Sequence, residues 1–210
     1  MRDGLYVVGL TGGLGAGKST VAAALARSGA RLVDADRMGH HILEDPGVRA
    51  ELVAAFGPEV LAPDGRLRRD ELGRRAFADR DSLARLNAVS HPRLLARLRD
   101  ELESLSAHGF RGLVVLEAAL LVEWDLGAWC DEVVAVVAPL AERKRRAATA
   151  LGLPEAEIDA RLERQLPEEE RVRYADRVVV NDGSVETLAE RATALAVALH
   201  QALLARERAQ

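Results

Sequence analysis

Eight consecutive residues, Gly12-Gly13-Leu14-Gly15-Ala16-Gly17-Lys18-Ser19, concentrate chemistry-bearing groups at a telling spacing. They match the phosphate-binding pattern G-x-x-x-x-G-K-[ST]. Its glycines let the backbone take left-handed conformations and bring N–H groups close to phosphate oxygens. A helix opening at Gly17 would aim its unpaired N–H groups and positive dipole end at the same anion. The pattern assigns Gly13, Leu14, Gly15, Ala16, Gly17, Lys18, Ser19 and Thr20 to the phosphates of ATP. Lys18 would be the mobile charge on the β- and γ-phosphates, a catalytic role, and the Ser19 hydroxyl would be the protein's ligand to Mg²⁺. A glycine-rich turn carrying a chance Gly-Lys-Ser is the competing reading. Context speaks against it, because an apolar strand-like run precedes the loop and a helical pattern follows. Lys18 is also one of only two lysines, with Lys144, among 29 basic residues.

GTPases, motor ATPases and small-molecule kinases all use such a loop. No Asn-Lys-x-Asp string selects guanine here. The acidic residues point toward a phosphoryl acceptor. Asp34 and Asp36 lie just past a short apolar run, at the sheet edge where open α/β folds bind ligands. Carboxylates there could orient an acceptor hydroxyl, take its proton, or hold water on a metal; two helix-capping aspartates would have the same spacing. Glu117 ends another apolar run and could act on Mg²⁺ through water, or be a polar strand terminus. His91, before Pro92, suits a helix start or a packing role as well as a ligand contact. Glu123 reads as a solvated residue or an arginine partner, and Trp124 and Trp129 as core.

These groups need a scaffold. Leu5–Leu10, Arg31–Val33, Leu113–Leu116, Val133–Ala138 and Arg177–Val180 are short apolar runs of the kind buried in parallel sheets. Ser19–Arg27 reads as a helix ending near Gly29, and a closing helix carries Leu188, Ala192, Leu195, Leu199 and Leu203. Strands alternating with helices predict an α/β fold with a five-stranded parallel sheet covered on both faces. Residues 38–108 are helical and charged, interrupted at Pro46, Gly57-Pro58, Pro63-Asp64-Gly65 and His91-Pro92, and read as an inserted lobe. Residues 142–173 are a polar, arginine-rich stretch with the character of a lid. The whole chain, 1–210, reads as one domain carrying both.

The net charge of −4 gives no reason to expect a nucleic-acid partner, since backbone binding wants a basic surface. The basic clusters Arg66–Arg69 and Arg143–Arg146 are local and suit solvated helix faces. Cys130 is the single cysteine, so an intrachain disulfide is impossible and a cysteine-built metal site implausible. No apolar run reaches the ~18–20 residues of a membrane span. The N-terminus lacks the flanks of a cleaved signal, and a cytoplasmic protein is the expectation. Nothing in the sequence sets an oligomeric state.

Four segments together resemble the dephospho-coenzyme A kinase family, which moves the γ-phosphate of ATP onto the ribose 3′-hydroxyl of dephospho-CoA. Leu10-Thr11-Gly12 through Ser19-Thr20 looks like that family's loop, and Val33-Asp34-Ala35-Asp36 like its Asp-x-Asp segment. Asp64-Gly65-Arg66-Leu67-Arg68-Arg69, Leu72, Phe77, Leu86-Asn87 and His91-Pro92 follow its inserted substrate lobe. Arg161-Leu162-x-x-Gln165 with Ala175 through Gly183 resembles its lid helix and closing strand. The resemblance spans about Leu5 to Gly183. It implies Asp36 as the base that receives the acceptor's proton and Asp34 as a residue of the acceptor pocket or metal shell. It implies that Arg69 and His91 lie in a lobe over the CoA portion, that Glu117 borders the substrate, and that Asn181 lies near adenine.

The chain departs from the family pattern in two places. Glu117-Ala118-Ala119-Leu120-Leu121-Val122-Glu123 stands where Asp-x-Pro-Leu-Leu-x-Glu is common. Ala150 or Leu151 stands where a lid arginine usually precedes Gly152-Leu153. Arg146 is the expected substitute, with Arg161 next and Arg145 also eligible. Two other functions keep the loop: a kinase for another small hydroxyl or nucleoside acceptor, and a nucleotide-dependent switch without acceptor chemistry. The Asp-Gly-Arg and His-Pro lobe favours the dephospho-CoA reading.

Overall fold

In the computed structural model, which describes residues 4–163 and 165–209, the strands are β1 (Leu5–Gly12), β2 (Arg31–Asp34), β3 (Gly112–Glu117), β4 (Glu132–Val137) and β5 (Arg177–Val180). They form one five-stranded sheet in the order β2-β3-β1-β4-β5, and every pairing is parallel. The expected α/β sheet is thus present. β1 is central and buried along its whole length, as a strand covered on both faces must be. Alternation sends its residues to opposite sides. Tyr6, Val8 and Leu10 join a core with Val21 and Leu25 of α1 (Lys18–Arg27) and Leu188, Leu195, Leu199 and Leu203 of α9 (Val185–Ala209). On the other face Gly9 packs against Leu121 and Cys130, and Thr11 meets an arginine described below.

The strands are also pinned by polar side chains. Arg177 of β5 makes a two-pronged pair with Glu132 of β4, at 2.6 and 2.9 Å. The Tyr6 hydroxyl donates to the same carboxylate at 3.1 Å. Burial, then the neighbouring Glu132 charge, pushes the Tyr6 phenol up to about 12. A folded-state pKa above the unfolded value of about 10 stabilises the protein below pH 10, and that contribution is lost as pH climbs from about 10 to 12. Tyr6→Phe should visibly flatten the alkaline fall in stability. The expected change is on the order of 1–2 kcal/mol, read from urea unfolding at pH 9 to 12.

The polypeptide divides into two compact units, 1–34 with 103–210 and 35–102. The second is helical: α2 (Ala35–Ile42), α3 (Pro46–Phe56), α4 (Arg69–Ala76) and most of α5 (Arg80–Ala107). Asp45 caps α3 by accepting from Gly47 N at 2.8 Å and Val48 N at 3.1 Å, with Pro46 at the tolerated first position. Leu52, Leu72, Leu94 and Leu98 are among its buried residues.

Two local expectations are corrected. The helix after β2 starts at Ala35 rather than Met38, so Asp36 lies within its first turn and is no cap. His91-Pro92 does not break the chain, because α5 runs through it. A proline here forfeits one backbone hydrogen bond. Side chains support the adjoining turns: Ser90 Oγ donates to Leu86 O at 2.8 Å and Arg93 Nη1 to Val89 O at 2.7 Å. The buried face of Leu86, Leu94, Leu98 and Leu102 holds the helix together across the gap.

Candidate active site

The functional groups of the first unit gather at the carboxyl ends of the strands. Glu117 is in register with Leu10 of β1 on one side and Asp34 of β2 on the other. The two carboxylates therefore sit on neighbouring strand ends, with Glu117 beside the end of β1 that leads into the glycine loop and Asp34 one strand further out. Asp34 is exposed and Glu117 half-buried. The loop runs from Gly13 to Gly17 and opens α1, and Ser19 is exposed in the first turn of that helix. Gly17 has φ 103°, and a Cβ there would lie 2.5 Å from the Asn181 amide nitrogen, so both conformation and space demand glycine. Lys18 Nζ donates to Gly12 O at 3.0 Å, which folds the ammonium back along the loop.

Asn181 follows β5 and is buried. Its Nδ2 donates to Ala16 O at 2.8 Å, so it braces the loop directly. Arg146 donates through Nη1 to Asn181 O at 3.4 Å, and its Nη2 lies 3.6 Å from Glu142. Arg145 and Arg161 are exposed and pair with acids of their own helices, Glu142 at 2.7 Å and Glu157 at 2.9 Å. These helices are α6 (Leu140–Leu151) and α7 (Glu155–Glu163). Ala150 and Leu151 are exposed at the end of α6.

Three side chains that sequence reasoning passed over complete the surroundings of the loop. Arg143 of α6 donates through Nε to Leu14 O at 3.1 Å. Gln165 Oε1 accepts from Leu14 N at 2.9 Å and from Arg143 Nη2 at 3.3 Å. Arg171, on α8 (Glu168–Tyr174), is 2% exposed and donates through Nη1 to Thr11 Oγ1 at 2.8 Å and Ala119 O at 3.0 Å. Burial pulls both guanidinium groups below the ordinary arginine range. Only Gln165 carried a signal, through the Arg-Leu-x-x-Gln string. The two arginines are 129 and 160 residues from their loop partners, and no local pattern reports that separation.

Arg171 ties α8 to the entrance of the loop and to the turn after β3. Its nearest carboxylate, Glu123, is 4.0 Å away, so the hydrogen bonds rather than an ion pair hold it. Removing a buried charge partner strands polar groups at a cost of about 3 kcal/mol. Arg171→Ala should therefore lower stability by about that much in urea unfolding. It should also weaken nucleotide binding, because the loop loses its anchor at Thr11.

The remaining sequence candidates belong to the helical unit. Asp36 is in the first turn of α2, and Arg69 opens α4 with its Nη2 2.6 Å from Glu44 Oε1. His91 is half-buried in the middle of α5, and its Nε2 and the Oδ1 of Asn87 are enclosed without hydrogen-bond partners. Those two atoms come from residues one helical turn apart, a pairing that suits a polar ligand group. A cleft of about 480 Å³ in the same unit is lined by residues including Met38, His41, Asp45, Arg93 and Arg97.

Among the described residues, no three His, Cys, Asp or Glu side chains converge as a metal cage. The oxygen donors near the loop, the Ser19 hydroxyl with Asp34 and Glu117 at adjoining strand ends, suit a hard cation that takes most ligands from phosphate and water, as Mg²⁺ does. No helix among the described residues is long and apolar enough to cross a membrane.

Residues 6–187 match the family model described as dephospho-CoA kinase. A protein of that name from Anaeromyxobacter dehalogenans is 45% identical over 193 residues, covering 91% of this chain and 90% of its own. Among solved structures, a Thermus thermophilus protein is 38% identical with a TM-score of 0.79, over 92% of this chain and 96% of that one. Dephospho-CoA kinase from Campylobacter jejuni shares the fold at 20% identity, with a TM-score of 0.66, covering 94% of this chain and 98% of that one.

Proposed function

The chain belongs to the dephospho-CoA kinase family, and on that premise we propose that it transfers the γ-phosphoryl group of ATP to the ribose 3′-hydroxyl of dephospho-CoA in the cytoplasm, giving coenzyme A and ADP. The observation that carries the reading is the glycine loop set at the carboxyl end of β1, with the strand-end carboxylate Glu117 beside that end and Asp34 one strand further out.

In this reading the acceptor 3′-oxygen forms a bond to the γ-phosphorus while the bond from that phosphorus to the bridging oxygen breaks, leaving ADP. Asp36 receives the acceptor's proton, and Asp34 shapes the acceptor pocket. The loop N–H groups from Gly13 to Thr20 orient the phosphates, and Lys18 offsets charge on the β- and γ-oxygens. Ser19 would hold Mg²⁺, which would supply charge neutralisation at the same oxygens, and Glu117 would act on it through water. Arg69 and His91 serve the CoA portion, with Asn87 beside His91, and the Asn181 turn borders adenine. Arg146, bonded to that turn, supports the lid.

Coupled ADP production from ATP tests the reading, with dephospho-CoA compared against adenosine, pantetheine and no acceptor. ADP release that requires dephospho-CoA is the expected result. Equal rates with adenosine would indicate a nucleoside kinase, and no acceptor dependence would indicate a switch. A Mg²⁺ titration of Ser19→Ala should saturate at higher metal than wild type, and an identical titration would remove Ser19 from the metal's ligands.

A further inference from the structure

We propose that Glu123 is a positioning residue for phosphoryl transfer: its buried carboxylate holds the Arg171 charge against Thr11, and through Thr11 it sets where the loop receives the Lys18 ammonium. Its burial is the first support. The side chain, in the turn after β3, is 13% exposed, and its Oε2 is enclosed without a hydrogen-bond partner among the described residues. A carboxylate taken from water and left short of partners is costly, and an apolar side chain of similar size would avoid that cost. The group its charge serves is Arg171, itself 2% exposed and 4.0 Å away. Burial disfavours the Arg171 charge, Glu123 is the foremost group opposing that effect, and the neighbouring Arg143 charge adds to it.

The separation is the second support. At 4.0 Å the carboxylate accepts no hydrogen bond from the guanidinium. Arg171 Nη1 therefore stays with Thr11 Oγ1 at 2.8 Å and Ala119 O at 3.0 Å. A close, two-pronged pair would compete for those donors and draw the guanidinium off the loop entrance. Charge attraction falls off only gradually with distance and is strong where little water intervenes. Glu123 thus steadies Arg171 without taking its hydrogens.

The path to Lys18 is the third. Thr11 is buried and immediately precedes Gly12, whose carbonyl accepts from Lys18 Nζ at 3.0 Å. Gly12 is packed without slack: a Cβ there would lie 2.6 Å from Val136 O and 3.1 Å from Lys18 Cγ. A shift of Thr11 is passed on to Gly12 and the ammonium rather than absorbed, because close-packed interiors transmit strain. A misplaced ammonium stabilises the transferring group less well, and kcat falls.

The kinetic arm of the test rests on the kinase reading; the spectroscopic arm does not. Glu123→Gln keeps the shape and removes the charge. Its kcat with dephospho-CoA should fall by about tenfold to thirtyfold, with the KM for dephospho-CoA nearly unchanged. Glu123→Asp, which keeps the charge on a shorter stem, should lose less. Added to Arg171→Met, Glu123→Gln should lower kcat no further, since it acts through that arginine; additive losses would overturn the proposal. Lys18 and Lys144 are the only lysines, so the NMR spectrum of protein labelled at lysine side chains is read as two signals. Glu123→Gln should move the Lys18 signal and leave that of Lys144, paired with Asp159 at 2.6 Å, in place. Wild-type kcat in folded Glu123→Gln would overturn the proposal even if Tm dropped, as would an unmoved Lys18 signal. Should Glu123→Gln not fold, Glu123→Asp decides. Lowered kcat with a moved Lys18 signal at a Tm close to wild type supports the proposal, and wild-type kcat and signal overturn it. A wild-type enzyme inactive on dephospho-CoA would defeat the kinase reading, and the lysine spectra would still decide Glu123.

Discussion

Lys18→Ala should abolish nearly all acceptor-dependent ADP production, by about 10²–10³-fold or more, while the protein keeps its fold. The charge is at the tip of a half-buried stem in the first turn of α1, and the ammonium donates to the Gly12 carbonyl, 3.0 Å away. Lys18 is not among the side chains of the α1–α9 apolar core, so its substitution leaves that core intact. The loss in rate comes from elsewhere. In the transition state the β- and γ-oxygens carry spread negative charge, and a fixed cation in a site with little water is worth far more than one in solution. Arg143 does not stand in for Lys18, because its Nε is tied to Leu14 O and it does not reach the position of the Lys18 ammonium against Gly12 O. Lys18→Arg should also fail, since a planar fork does not fit where a compact ammonium folds back along the loop. Steady-state kinetics with a thermal melt on each variant check this. Unchanged turnover in a folded Lys18→Ala protein would remove the loop from catalysis altogether.

The features that could be read from sequence share a physical reason. β1, β3 and β4 are continuous apolar runs because both faces are covered, and the loop's glycines sit where backbone geometry admits little else. α9 shows its buried stripe, Leu188 through Leu203, at helical spacing. The features that escaped are those decided by distant partners. Pro92 looked like a break because the penalty is local, whereas the packing of Leu94, Leu98 and Leu102 that offsets it is not. Arg143 and Arg171 were part of an undifferentiated basic run, indistinguishable from Arg145, which is solvated. What separates them is the sheet order, which brings β4 beside β1 and so carries α6 and α8 to the loop. Ala150 is exposed at the end of α6, and which arginine of that stretch approaches the loop is set by the sheet order rather than by distance along the chain.

Asp36→Asn should lower kcat by about 10²–10⁴-fold with little change in either KM, the effect of removing a general base. The substitution is nearly isosteric and leaves α2 its first turn, although it forfeits a charge that favours a helix N-terminus by about 0.3–1 kcal/mol. Such a loss is small beside the kinetic effect, so rate and stability separate cleanly. Asp34→Asn should behave differently. Asp34 ends β2 in register with Glu117, and its substitution should raise the KM for dephospho-CoA or shift the Mg²⁺ dependence more than it lowers kcat. Position in the chain motivates the division. Asp34 is fixed by the sheet, whereas Asp36 belongs to the helix that begins the second unit. The reverse pattern would exchange the two roles. Wild-type kinetics in both variants would leave Asp34 and Asp36 with purely structural duties.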